Sequence, residues 1–148
     1  MGSTTKGVIM VVGQTKDVGF QIGVSRTVPH PLESVWAYLT SPEGITAWLG
    51  EGAVLGTRKG DTYTTAEGTT GELRSFHVND RVRLTWRPRG WDHDTTVQVT
   101  VSDAGGRTVL RFHQEWLADG DERLRQRGHW RGVLDTVAAG LNRGRSPG

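Results

Sequence analysis

Two polar side chains at otherwise apolar positions are the first residues that could do chemistry. Arg26 shares an alternating face with Phe20, Ile22, Val24 and Val28, and Gln114 shares one with Leu110, Phe112 and Trp116. A guanidinium taken out of water needs a carboxylate, a carbonyl or a ligand anion, because a buried unpaired charge is strongly unfavourable. Arg26 and Gln114 are therefore expected to orient the polar group of a guest. The plainer alternative for Arg26 is an ion pair whose head reaches water along the side chain's flexible stem. Rings surround these two positions. Phe20, Trp36, Trp48, Tyr63, Trp86, Phe112, Trp116 and Trp130 all fall on inward-reading positions, and the chain holds 6 Trp in 148 residues. Such rings line cores and apolar pockets alike. Trp36 and Trp130 sit in the most regular helical stripes and read as core. Trp48, Trp86 and Trp116 stand near element ends and read as pocket walls. With Phe76, the candidate ligand-binding residues are Phe20, Arg26, Trp48, Tyr63, Phe76, Trp86, Phe112, Gln114 and Trp116.

Other chemistry finds less support. The histidines are His30, His77, His93, His113 and His129, and no pair has the spacing of a zinc-binding helix. Asp92-His93-Asp94 reads as a solvated turn rather than a cation loop. His77 is left open between the pocket and a sheet edge. No G-x-S-x-G elbow is present. The glycine-rich stretch 50–60 lacks phosphate-loop spacing and reads as a loop near a pocket mouth. Arg81, Arg83, Arg87 and Arg89 read as the solvated outer face of a sheet, because Asp80, Asp92 and Asp94 interrupt them. No catalytic residue, metal ligand or cofactor is assigned. An enzyme using Arg26, Tyr63, His77 or Gln114 on an apolar substrate is the least favoured reading, since no group is placed for general acid–base work.

Composition sets the frame. With 18 Lys and Arg against 16 Asp and Glu, the net charge is +2, which argues against a polyanion binder and so against nucleic acid. The chain has no cysteine, which excludes disulfides and thiolate chemistry. The apolar run 8–12 is too short for a signal core or a membrane span. A cytoplasmic location is expected.

The elements that must position these residues follow from periodicity. Residues 20–28 alternate as a half-buried strand, ended by Pro29 and Pro31. Leu32, Val35, Trp36 and Leu39 step as a short helix over 31–39. Ser41-Pro42-Glu43 starts a second helix, and Gly50 stops it. The period then changes to two. Strands are predicted over 62–65, 71–78, 82–86, 97–101 and 110–116, with a hairpin loop at 103–106. Asp119 or Asp121 caps a final long helix whose apolar stripe is Trp130, Val133, Leu134, Val137 and Leu141. Segregated strands and helices predict an α+β domain over 17–142, between an N-terminal segment 1–16 and a frayed tail 143–148.

This order resembles the START-like (SRPBCC, polyketide-cyclase-like) superfamily. More narrowly, it is similar to the homologues of the heat-shock-protein-90 ATPase activator. The likeness is carried by residues 26–36, beginning Arg26-Thr27-Val28-Pro29, and 39–50, containing Ser41-Pro42-Glu43-Gly44. It continues in Leu84-Thr85-Trp86-Arg87-Pro88 with Trp91, and in His129-Trp130-Arg131-Gly132-Val133-Leu134-Asp135. The resemblance implies a helix-grip fold: a curved antiparallel sheet wrapped around the C-terminal helix, two short helices after the first strand, and a cavity between. Close relatives often carry a histidine where this chain has Gln114, so a role tied to that imidazole is not expected here. The function the resemblance and the rings imply is non-catalytic binding of a hydrophobic or aromatic small molecule. The alternative is a co-chaperone-like interaction module, with a chaperone or a second copy of the chain as partner.

Overall fold

The computed structural model describes residues 14–15 and 19–144. The apolar run 8–12 and residues 145–148 lie outside them. Seven strands form one antiparallel sheet: β1 (Gln14–Thr15), β2 (Gly19–Val28), β3 (Thr62–Thr64), β4 (Thr70–His77), β5 (Arg81–Trp86), β6 (Thr95–Asp103) and β7 (Thr108–Leu117), in the spatial order β1-β2-β7-β6-β5-β4-β3. β2 closes against β7, so the first long strand and the last are neighbours. Period-two alternation places Val82, Leu84 and Trp86 of β5, Val97, Val99 and Val101 of β6, and Leu110, Phe112 and Gln114 of β7 on the buried concave face.

Among the described residues, three helices cover that face: α1 (Leu32–Leu39), α2 (Pro42–Trp48) and α3 (Gly120–Gly144). The Ser41 hydroxyl accepts a hydrogen bond from the Gly44 amide at 3.1 Å and caps α2, with Pro42 at the first helical position. Of the two expected caps for α3, Asp119 serves. Its carboxylate accepts from the Glu122 amide at 2.8 Å, and the Glu122 carboxylate accepts from the Ala118 amide at 2.9 Å. The stripe Trp130, Val133, Leu134, Val137 and Leu141 is buried as predicted, and Glu122 and Gln126 extend it toward the helix start. α3 runs to Gly144, so residues 143 and 144, read as tail, are helical. Among the described residues no helix is long and apolar enough to cross a membrane.

One break in the sheet matters for the site. Phe20 pairs with Leu117 and Ile22 with Gln114, so β2 advances two residues while β7 advances three. The extra residue is a β-bulge at Glu115 and Trp116, where Trp116 adopts φ 69°. The bulge inverts the alternation. Trp116, predicted as a pocket wall, therefore points outward and is 49% exposed.

Gly128 and Gly132 lie within α3 with open space where a Cβ would stand. Glycine is the costlier residue in a helix interior because it loses more backbone entropy on folding. Gly128→Ala and Gly132→Ala should each raise stability by about 0.5–1 kcal/mol, measured as a higher denaturant midpoint at unchanged slope.

Candidate functional site

The centre of the grip is occupied by the protein's own side chains. Trp130 of α3 is 0% exposed and stacks on Phe112 of β7, ring centroids 5.1 Å apart and planes 13° apart. Trp86 lies 5.7 Å from Trp130, its ring tilted by 52°. A buried polar chain threads these rings. Trp130 Nε1–H donates to Gln114 Oε1 at 2.7 Å, Gln114 Nε2 donates to Thr95 Oγ1 at 2.9 Å, and Thr95 Oγ1 donates to the Trp86 carbonyl at 2.6 Å. Gln114 is inward as predicted, but both ends of its amide hold internal partners. Each end of this fully buried amide thus has a partner within the protein. Phe112 is likewise core.

Arg26 follows the ion-pair alternative. It occupies an inward register between Val24 and Val28, yet its side chain is 46% exposed and pairs with Asp135 of α3 at 2.8 Å. Its stem lets the head leave the interior at the helix edge, which is the surface ion-pair alternative. Tyr63 is buried, and its hydroxyl donates to the Thr85 carbonyl at 2.6 Å; burial pushes its pKa upward. It ties β3 to β5. Phe76 packs edge-on against Trp36, centroids 5.5 Å apart, and Phe20 is half-buried at the start of β2. Phe20, Arg26, Tyr63, Phe76, Phe112 and Gln114 do not line the cleft described next, and neither does Trp116.

That cleft, of about 330 Å³, opens where α2, the loop after it, β5 and α3 meet. Its walls are Trp48, Leu49, Trp86 and Val133, and its rim carries Glu51, Glu67, Thr69 and His129. Trp48 is held by its indole N–H, which donates to the Leu39 carbonyl at 2.9 Å. Trp86 is 6% exposed, and its Nε1 is buried without an acceptor among the described residues. Thus Trp48 and Trp86 are the two candidates brought together at an open site. The loop from Gly50 borders it, as the sequence suggested. Sequence reasoning missed Glu67 and His129 as site residues. His129 stands one turn before Val133 on α3, so the edge of the helical stripe was the signal that could have found it. A second groove, of about 320 Å³, lies between the start of α1 and the end of α3, by Tyr38 and Gly140. It contains no candidate residue.

The histidines are in three different environments. His129 keeps part of its surface in solvent, but its ring lies 4.6 Å from Trp130 and 5.8 Å from Trp86. Burial holds its pKa below the ordinary 6.5, against the pull of Glu67. Burial likewise lowers His113, with Arg111 and Arg83 adding to the effect and Glu115 opposing it. His93 is opposite in sense. Burial alone would lower it, but hydrogen bonds to Asp92 (2.8 Å at Nδ1) and Glu122 (2.7 Å at Nε2) outweigh that and raise it. The turn at 92–94 is solvated, with the Asp92 side chain 97% and the Asp94 side chain 67% exposed, and His93 in addition pins it to the start of α3. The two carboxylates take opposite ring nitrogens and do not converge on a common point. His77 is exposed at the end of β4.

Titration of the imidazole protons by NMR should put His129 and His113 below 6.5 and His93 above it. The linkage follows in sign. His93 stabilises the fold fully below 6.5, and that contribution fades as pH rises through its raised value. His113 and His129 stabilise the fold above 6.5, and theirs is lost as pH falls through their depressed values. His93→Gln should remove the alkaline part of the stability profile and leave the acid part.

On the outer face, Arg83 pairs with Glu115 at 2.8 Å, Arg81 with Asp80 at 3.3 Å and Arg87 with Asp94 at 3.9 Å. These arginines stand beside carboxylates rather than as an uncompensated basic stripe.

Comparison with known proteins agrees with this architecture. Residues 29–142 match the family model described as Activator of Hsp90 ATPase homolog 1-like protein. Among solved structures, DynU16, from the dynemicin biosynthetic locus, superposes with a TM-score of 0.73 at 19% identity over 84% of this chain. The match covers 48% of DynU16, so this chain spans about half that protein's length. CalU16 from Micromonospora echinospora superposes with a TM-score of 0.72 at 19% identity, over 82% of this chain and 75% of CalU16. PFC0360w, an HSP90 activator from Plasmodium falciparum, gives 0.70 at 18% identity, over 82% of this chain and 96% of that one. These likenesses establish the helix-grip fold. Among curated proteins, none matches the sequence.

Proposed function

The chain belongs to the Activator of Hsp90 ATPase homolog 1-like family, and from that premise we propose that it binds a hydrophobic or aromatic small molecule, without catalysis, in the cleft between α2, β5 and α3. The carrying observation is the pairing of Trp48 and Trp86 as walls of a cleft of about 330 Å³, a volume at the small end of ligand pockets, which run from about 300 to 1,000 Å³. The guest is relocated relative to the sequence-based expectation. It sits at the mouth of the grip, because Trp130 and Phe112 occupy the interior.

The test is quenching of tryptophan fluorescence across a panel of small aromatic compounds, with native mass spectrometry of gently purified protein. Thr46 is exposed on α2 at the cleft edge, so Thr46→Trp should plug the mouth while leaving the core intact. Saturable quenching that weakens at least about tenfold in this variant, a loss of about 1.4 kcal/mol, is the expected result. Quenching indifferent to the plug, or absent across the panel, refutes the reading.

A second reading rests on the family itself and on the likeness to PFC0360w and to the Aha1 dimer of Colwellia psychrerythraea: a module that engages a chaperone, or a second copy of itself. Stimulation of an Hsp90 ATPase by the pure protein, unaffected by Thr46→Trp, favours this reading over the first.

A further inference from the structure

The outer face of α3 breaks several local rules at once. Arg125, Arg127 and Arg131 are exposed in its N-terminal half, away from the negative end of the helix dipole that would favour cations. Arg127 and Arg131 are also a like-charged pair one turn apart, which is unfavourable on a helix surface. None of the three has a carboxylate within 4.0 Å among the described residues, whereas Arg74, Arg81, Arg83 and Arg87 of the sheet each do. Of the acidic residues of α3, Glu122 is taken by His93 and Asp135 by Arg26, leaving Asp121 against three arginines. Gly128 and Gly132 are exposed in the helix interior, where glycine weakens a helix. Nothing lies within 4 Å of where their Cβ atoms would stand, so no internal packing calls for them. Leu124, one turn before Gly128, is 61% exposed. At about 100° per residue, Leu124, Gly128 and Gly132 form a shallow floor. Arg125 flanks it on one side, Arg127 and Arg131 on the other. Local preferences given up together on one face, with no gain inside the protein, mark a functional surface.

We propose that this face docks an acidic helix of a partner protein, its backbone close over Gly128 and Gly132 and its carboxylates against Arg125, Arg127 and Arg131. Small residues one turn apart let two helix backbones approach closely. Guanidinium groups hold carboxylates through two parallel hydrogen bonds. The occupant is acidic because the positive charge of the face is uncompensated. It is protein rather than lipid because, among the described residues, Leu124 is the one large apolar side chain exposed on α3, too little to enter a bilayer. This rests on the interaction-module reading above and supplies its surface and its partner's chemistry. The cleft is not involved, since none of these residues lines it.

The probe is a fluorescently labelled alanine-based peptide of about 20 residues, long enough to hold a helix, with glutamate at every fourth position. Its binding to the full chain is followed by anisotropy at low ionic strength. A peptide with lysine at the same positions and vesicles of phosphatidylserine and phosphatidylcholine are measured beside it. The glutamate peptide should bind and the lysine peptide should not. Arg125→Ala, Arg127→Ala and Arg131→Ala combined should weaken binding at least about tenfold. Gly128→Leu should weaken it to a similar degree without lowering the denaturant midpoint, which separates lost fit from lost folding. Arg74→Ala with Arg81→Ala, on the outer face of the sheet, should leave binding unchanged. Equal binding of the two peptides, or binding indifferent to the arginine substitutions or to Gly128→Leu, overturns the proposal. So does vesicle binding through the same arginines with no binding of the peptide. An Hsp90 ATPase assay separates this surface from the reading it rests on. Stimulation by the pure protein should fall in Gly128→Leu in parallel with the peptide affinity. Stimulation left whole overturns the surface while the interaction-module reading stands, and absence of both stimulation and peptide binding ends both.

Discussion

Trp130→Ala should lose about 4–5 kcal/mol of stability, the largest effect of any single substitution considered for this chain. Trp130 is completely buried, stacks on Phe112, contacts Trp86 and donates to Gln114. Truncation removes the ring's burial, leaves a cavity that the rigid sheet cannot close, and strands Gln114 Oε1 without its donor. Domains of this size are stable by about 5–15 kcal/mol, so the variant should be marginally folded at room temperature, seen as a low denaturant midpoint. Trp130→Phe separates the causes. It keeps a ring on Phe112 and removes only the N–H, so it should lose about 1–3 kcal/mol. Gln114→Leu should fall in the same range, because it strands the Trp130 N–H instead. If Trp130→Ala lost less than about 2 kcal/mol, below the usual range for a buried aromatic, the interior of the grip would have to be looser than the stacked geometry indicates.

The second large effect is at Gly44. It lies in the first turn of α2, and a Cβ there would run into the Tyr38 carbonyl oxygen and approach the Leu39 Cα of α1 at 3.1 Å. The obstacle is backbone, which cannot swing aside as a side chain does. Helix propensity alone predicts that Gly→Ala stabilises by about 1 kcal/mol. The steric argument predicts the opposite sign, a loss of about 2–4 kcal/mol from forcing α1 and α2 apart. Gly44→Ala and Gly128→Ala, each a helical glycine, should therefore move the denaturant midpoint in opposite directions. Since α2 carries Thr46 and Trp48 to the cleft, Gly44→Ala should also weaken aromatic binding there.

Much of the molecule is legible along the chain. The change of period from helix to strand after Gly50, the proline pair after Val28, the Ser41-Pro42 start and the stripe on α3 follow from neighbours a few residues apart, and they are observed close to the expected bounds. The exceptions are instructive. The Trp116 position was misread because a single extra residue in β7, invisible to an alternation rule, reverses every side chain beyond it. For Arg26 two readings stood open because alternation places a Cα, not the end of a long side chain. The tie from His93 to Glu122 was not legible because the two lie 29 residues apart.

The amino-acid sequence by itself determined the element order, the concave apolar face, the family resemblance and the abundance of rings. Periodicity, capping and ring content are properties of residues adjacent in the chain. Only the tertiary structure decided which rings plug the grip and which border an opening. That outcome depends on how Trp130 of α3, Phe112 and Gln114 of β7, Thr95 of β6 and Trp86 of β5 fill one volume together. Space left over after packing is a property of the assembled elements, since each side chain's room is set by residues distant along the chain.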